Sequence, residues 1–243
     1  LVNTTNGSPY LIRVGAAVAA VTPLSYALSN ITNPSATNTT FYTRVSTYTG
    51  NDGVTGPVDN GAIAVSTDQQ VTLTGVTPEI LIFCVGTAIP TDCSSMTGST
   101  VDFGDFSPQA TRSGTSMMQA STNAAGGYNV TINGSTLASG VNTIPALGSP
   151  TASVIGGSQF GVNLRANTTP PIGNNPTGAG TGTLNAAYNT PDQYQFVSGS
   201  TVATASAPTN ANTFTSSYIV NIGGAQAAGV YTTTMTYICT ANF

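Results

Sequence analysis

The constraint that governs this chain is its period. Apolar side chains recur at every second position in short runs: Tyr128, Val130 and Ile132, then Phe160, Val162 and Leu164, then Tyr218, Val220 and Ile222. No stretch keeps a 3.6-residue apolar stripe over three turns, so the pattern selects strands over helices. The alternate positions are mostly Thr, Asn and Ser; Thr is β-branched and neutral, which gives strand propensity on a solvent-facing side without charge. Earlier strands are expected at Tyr10–Val21, Leu24–Ser29, Thr40–Tyr48, Ala62–Ser66 and Val71–Gly75. The nearly continuous apolar run Glu79–Val85 is expected to lie centrally in a sheet, and Val230–Phe243 to be a closing strand central to the core. Turn clusters such as Asn51-Asp52-Gly53, Asp59-Asn60-Gly61 and Ala125-Gly126-Gly127 separate these runs. The expected fold is an all-β antiparallel β-sandwich of Greek-key or jelly-roll type with an N-terminal strand extension.

Three regions are expected: an extension over 1–30, a first β region over 31–95, and a main β-sandwich over 96–243 that can be continuous with the region before it. The segment Asn167–Asn189, with Pro170, Pro171, Pro176 and alternating glycines from Gly178 to Gly182, reads as a long exposed loop within the sandwich.

Charge decides which functions survive. Lysine and histidine are absent, and four arginines face eight acids, so only 5% of the residues are charged and the net charge is −4. Without His there is no Ser-His-Asp or Cys-His nucleophile and no His-bound zinc; without Lys there is no Schiff base, no phosphate-binding lysine and no Lys–Asn isopeptide clasp. The nearest carboxylate pair, Asp102 and Asp105, reads as two solvated turn acids, because no Trp supplies a sugar platform. The expectation is therefore no enzyme. Four arginines cannot form a phosphate-tracking surface, so no nucleic-acid partner is expected. No apolar run reaches the roughly 18–20 residues of a membrane span. The chain begins at Leu1 without a basic region followed by an apolar core, so it is expected to be an exported product after signal-peptide removal, placed outside the cell or on its surface.

Cys84 and Cys93 flank the turn-rich stretch Val85–Asp92 and are expected to close a disulfide loop. Cys239 is in phase with Met235, Tyr237, Ala241 and Phe243, and can be a buried core thiol or a bridge between subunits. Asn-x-Ser/Thr acceptors for glycans occur at Asn3, Asn6, Asn30, Asn38, Asn129, Asn133 and Asn167. No cofactor is expected, with calcium at Asn51, Asp52, Asp59 and Asn60 the one exception left open; those residues before glycine are also what tight turns use.

Tyr10–Ala20 is apolar, rich in small residues and strand-like. Its alternating positions Tyr10, Ile12, Val14, Ala16, Val18 and Ala20 make it a candidate donor strand for the open sheet of another subunit. The runs Gln159–Pro170, Ser217–Ile222 and Ala228–Phe243 resemble uncharacterised Thr/Ser/Gly-rich exported β-sandwich surface proteins of small-genome candidate-phylum bacteria, over about residues 70–243. In style the closing strand is also similar to surface-layer, pilin and spore-coat domains. The resemblance implies an exported cell-surface β protein and no catalytic residues. The expected role is a non-enzymatic structural subunit of a pilus-like filament or S-layer-like surface array, a homopolymer of identical subunits joined by strand addition or neutral β interfaces. The alternatives are an adhesin or carbohydrate-binding module recognising surface glycans, with Tyr188, Tyr194 and Phe196 as its aromatics, and a viral capsid or fibre jelly roll.

Overall fold

The computed structural model describes residues 2–3, 9–16 and 18–243; Asn6 lies outside these residues, as does the side chain of Asn3. The chain divides into two compact units, Leu1–Val76 and Thr77–Phe243. The division falls at Val76, not near residue 95, because the strand that opens the second unit pairs with a strand later in that unit. Both units are built from antiparallel strands, in keeping with the alternation of the sequence.

In the first unit, β1 (Val2–Asn3) pairs with β2 (Pro9–Tyr10), and β3 (Thr40–Tyr48) pairs with β4 (Pro57–Ser66) as a hairpin. The strand expected over Tyr10–Val21 is reduced to Pro9–Tyr10, and Leu24–Ser29 and Val71–Gly75 carry no strand. Apolar alternation alone does not hold a strand without a neighbouring edge to satisfy its backbone. The turn expected at Asp59–Gly61 is instead the middle of β4; the chain reverses through Thr49–Gly56, where Gly53 and Gly56 take positive φ.

The second unit is a sandwich of two sheets. Its strands are β5 (Leu81–Gly86), β6 (Arg112–Thr122), β7 (Tyr128–Gly134), the short pair β8 (Ala138–Ser139) and β9 (Asn142–Thr143), β10 (Gln159–Asn163), β11 (Thr177–Gly178), β12 (Thr183–Leu184), β13 (Ser200–Ala205), β14 (Thr209–Asn221) and β15 (Met235–Ala241). One sheet runs β10-β14-β6-β5, with β11 also on β14; the other runs β12-β13-β7-β15. Met118, Phe160, Phe214 and Tyr218 from the first sheet meet Tyr128, Val130, Ile132 and Val202 from the second in one buried core. Burial of each large apolar side chain stabilises the unit by about 1.5–3 kcal/mol.

The strand expected to lie centrally in its sheet is an edge, and so is the closing strand, although its Met235, Tyr237 and Cys239 pack on the core. Among the described residues β5 pairs only with β6, and β15 only with β7. The unbroken apolar run of β5 arises from Phe83 and Val85 packing on the core while Ile82 stays 49% exposed. β15 alternates half-buried and exposed positions along its whole length, as a strand with one solvated face does.

The outer face of the first sheet is covered by the protein's own loops. Asn163, Ser217 and Ile219 point away from the core and are nevertheless fully buried. Asn167–Asn189 is therefore no free loop. It contributes β11 to β14 and β12 to β13, a 3₁₀ turn at Ala186–Tyr188, and the buried Asn167 and Tyr188. Gly173, at φ +85°, lets the loop lie where a Cβ would strike Ser217.

Candidate functional site

Every residue of the first unit's β3–β4 hairpin strands except Phe41 is exposed. Its register places Phe41, Thr43 and Val45 opposite Val65, Ile63 and Gly61, so one face is a strip of apolar side chains. Val45 is 63% exposed, Ile63 64% and Val65 42%. None of the described residues of Leu1–Val76 is buried. The reversal is held locally: Asp52 accepts the Thr55 hydroxyl and the amides of Thr55 and Val54, and these bonds, the hydroxyl first, lower its carboxyl to about 2. Asp59 accepts the amide of Asn60. These bonds account for the acids that the sequence left open to calcium, and no group of three or more His, Cys, Asp or Glu able to hold a metal occurs among the described residues.

Of the donor-strand candidates, only Tyr10 is in a strand; Ile12, Val14, Ala16 and Ala20 are exposed and Val18 half-buried. Cys84 and Cys93 are joined, with Cα atoms 5.5 Å apart. Asp92 caps the short turn after the loop by accepting the amide and hydroxyl of Ser94, and the hydroxyl above all draws its carboxyl below the usual range. The disulfide loop, β6, β14 and Thr177–Ala179 frame a groove of about 610 Å³ lined by Ile89, Met117, Gln119, Ala211 and Thr213 among others, all uncharged. The Asp102 carboxylate accepts the amide of Gly104, and the backbone carbonyl of Asp105 accepts from the Arg112 guanidinium.

The three aromatics nominated for ligand stacking lie in the interior. Tyr188 and Tyr194 are fully buried and Phe196 is 5% exposed, its ring 5.4 Å from that of Phe160 in an edge-to-face pair. Of the glycan acceptors, Asn129 is exposed and Asn133 half-buried on the outer face of β7, and Asn30 and Asn38 are exposed. Asn167 is engaged: its amide donates to the carbonyls of Arg165 and Ile172, and its oxygen accepts the amide of Asp192. Asp192 in turn accepts the amides of Thr168 and Thr169 and the Thr168 hydroxyl; that hydroxyl first, then the Thr169 amide, lowers its carboxyl.

Cys239 faces the core cluster, half-buried, and burial pushes its thiol up to about 11, which favours the protonated form at neutral pH. Beside it, a hydroxyl cluster ties the sheets together. The Tyr218 hydroxyl lies 2.8 Å from Ser116 Oγ and 2.7 Å from the Tyr237 hydroxyl, which donates to Ser216 Oγ at 3.0 Å. Burial raises the Tyr218 and Tyr237 phenols.

Sequence reasoning missed that β5 and β15 are open edges. β10, at the far end of its sheet, is sealed by bonds between Phe160 and Pro145 and between Val162 and Gln195. Among the described residues no backbone hydrogen bond reaches β5 or β15 except from its one neighbour. The sequence held no signal for them: Leu81–Gly86 and Met235–Ala241 lack charge and proline, the residues that mark an edge, and so does the inner strand Tyr128–Gly134. No helix among the described residues is long and apolar enough to cross a membrane. Comparison with protein-family models, with curated proteins and with solved structures finds no match.

Proposed function

We propose that the protein is a non-enzymatic structural subunit of an extracellular filament or cell-surface array that assembles with identical copies through exposed β elements. The observation that carries this reading is the hairpin β3–β4, whose apolar face lies open in a unit with no buried described residue. Ordering the backbone opposes folding by about 1–2 kcal/mol per residue, and a two-stranded hairpin is marginal in water. Cover from outside gives such a unit the burial it lacks. With 5% charged residues, copies meet without strong like-charge repulsion. The burial of Tyr188, Tyr194 and Phe196 removes the aromatics on which a sugar-binding reading rested.

Electron microscopy and sedimentation velocity of the full chain beside Ile63→Asp test the proposal. Ile63 lies on the open apolar face, so the substitution places a charge there without touching a core. Ordered filaments or sheets from the parent and dispersed particles from Ile63→Asp are expected. Monomers from the parent across the micromolar range overturn the reading.

A further inference from the structure

We infer that β15 is a self-pairing edge: two copies of the sandwich join antiparallel through Met235–Ala241, centred on Ile238, to make one continuous eight-stranded sheet. The inference goes beyond the subunit reading, because this pair forms whether or not larger assemblies follow.

The direction of the free backbone groups follows from the register. β15 pairs with β7 from Met235↔Gly134 to Ala241↔Tyr128. Just beyond, Asn242 donates its amide to Gly127 and accepts that of Gly126, continuing the same ladder. Antiparallel positions alternate between pairs that exchange bonds and pairs that do not. The bonds at Asn242 therefore place Thr240, Ile238 and Thr236 in exchange with β7, and turn the N–H and C=O groups of Met235, Tyr237, Cys239 and Ala241 towards the open edge. Those groups have no other backbone partner among the described residues.

This arrangement is self-complementary. An antiparallel copy pairs outward-directed groups only when odd positions face odd positions. Full overlap of the seven-residue strand gives one such register, with Met235 opposite Ala241 and Tyr237 opposite Cys239. Ile238 then faces Ile238 of the second copy across a non-bonded pair. On the same face each Thr236 meets a Thr240, so β-branched side chains oppose one another, the arrangement that favours strand pairing. Ile238 is 48% exposed in the single chain and gains an apolar neighbour. No Lys, Pro, charge or bulge in the strand opposes the contact. β5 is the weaker candidate, since it is shorter and runs into the disulfide loop.

The test is site-directed cross-linking of the full chain with Cys239→Ser as background and the Cys84–Cys93 bridge intact. In a non-bonded antiparallel pair the Cα atoms lie about 4.5 Å apart, within the disulfide range of about 4.4–6.8 Å. Ile238→Cys is expected to form a covalent dimer in most of the chain on mild oxidation. Thr236→Cys alone is not, because its two copies stand four residues apart, about 13 Å; mixed with Thr240→Cys it is expected to cross-link. Ile238→Lys, with unchanged near-ultraviolet circular dichroism, is expected to sediment as a species that no longer pairs at this edge. Equal cross-linking of Ile238→Cys and Thr236→Cys, or none from Ile238→Cys, overturns the inference. Ordered assemblies that form without the cross-link refute β15 pairing and leave the subunit reading standing. A cross-linked dimer that never grows further supports the pairing and sinks the subunit reading.

Discussion

Tyr237→Phe removes one oxygen from the join between the two sheets. In the parent that hydroxyl lies 2.7 Å from the Tyr218 hydroxyl and donates to Ser216 Oγ at 3.0 Å. Tyr218 keeps its bond to Ser116 at 2.8 Å after the change. Ser216, 1% exposed, loses the side-chain partner it had, and a polar group buried without a partner costs about 1–3 kcal/mol. The ring stays, so no cavity forms, and the whole loss belongs to the hydrogen bonds. In a unit of this size about 1 kcal/mol moves the melting temperature by about 2–4 °C. Urea unfolding followed by near-ultraviolet circular dichroism measures the change, and the double variant Tyr237→Phe/Ser216→Ala separates the causes. Once both partners are gone no orphan remains, so the double variant is expected to be less destabilised than the sum of the singles by at least about 0.5 kcal/mol. Additive singles, or a Tyr237→Phe loss below about 0.5 kcal/mol, refute the account of the cluster as a tie between sheets.

The disulfide and the carboxylate clamp make two more expectations. Replacing Cys84 and Cys93 together by Ser frees a loop with a sequence separation of 9; chain-entropy reasoning puts the loss at roughly 2–3 kcal/mol, read as a lower urea midpoint, while an unchanged midpoint refutes the contribution. Asp192 has its carboxyl lowered in the folded chain, so its stabilisation is full above the ordinary carboxylate range and is lost as pH falls through the lowered value. The protection of the Thr168 and Thr169 amides, their exchange taken relative to the intrinsic rate at each pH, is expected to fall on that acid side and, in Asp192→Ala, to be lost at neutral pH as well; protection that is independent of pH in the parent refutes the clamp.

What the sequence made legible was what local periodicity encodes. Tyr128, Val130 and Ile132, and likewise Phe160 and Val162, alternate with polar residues and do form core faces. Thr40–Tyr48 is a strand with the expected bounds. β6 was invisible because its inward positions are Gly114, Ser116, Met118 and Ala120; Ser116 is tolerated there only because the Tyr218 hydroxyl, distant in sequence, meets it. β14 misled in another way, since loops cover its outer face and bury polar residues such as Ser217 that alternation assigns to solvent. The clamp on Asp192 was equally hidden, as Thr168 and Asp192 meet only after the chain between them has folded back on β14 and β13.

Which strand lies at an edge is a property of pairing order and not of the strand's own residues. Met235–Ala241 and Tyr128–Gly134 have similar alternation, yet one has a neighbour on each side and the other has one neighbour. A sequence with abundant Lys would mark its edges by placing charge on them; this one has none to place, so the signal is missing in the strands where it matters most. The same lack of charge that left the edges illegible leaves them undefended. β10 shows the alternative available to the fold, an edge closed by Pro145 and Gln195 from its own chain. A pair made through β15 uses that edge in both copies, so growth beyond a pair requires a second surface. The apolar face of the β3–β4 hairpin offers one, and for that reason Ile63→Asp and Ile238→Lys are expected to stop assembly at different sizes.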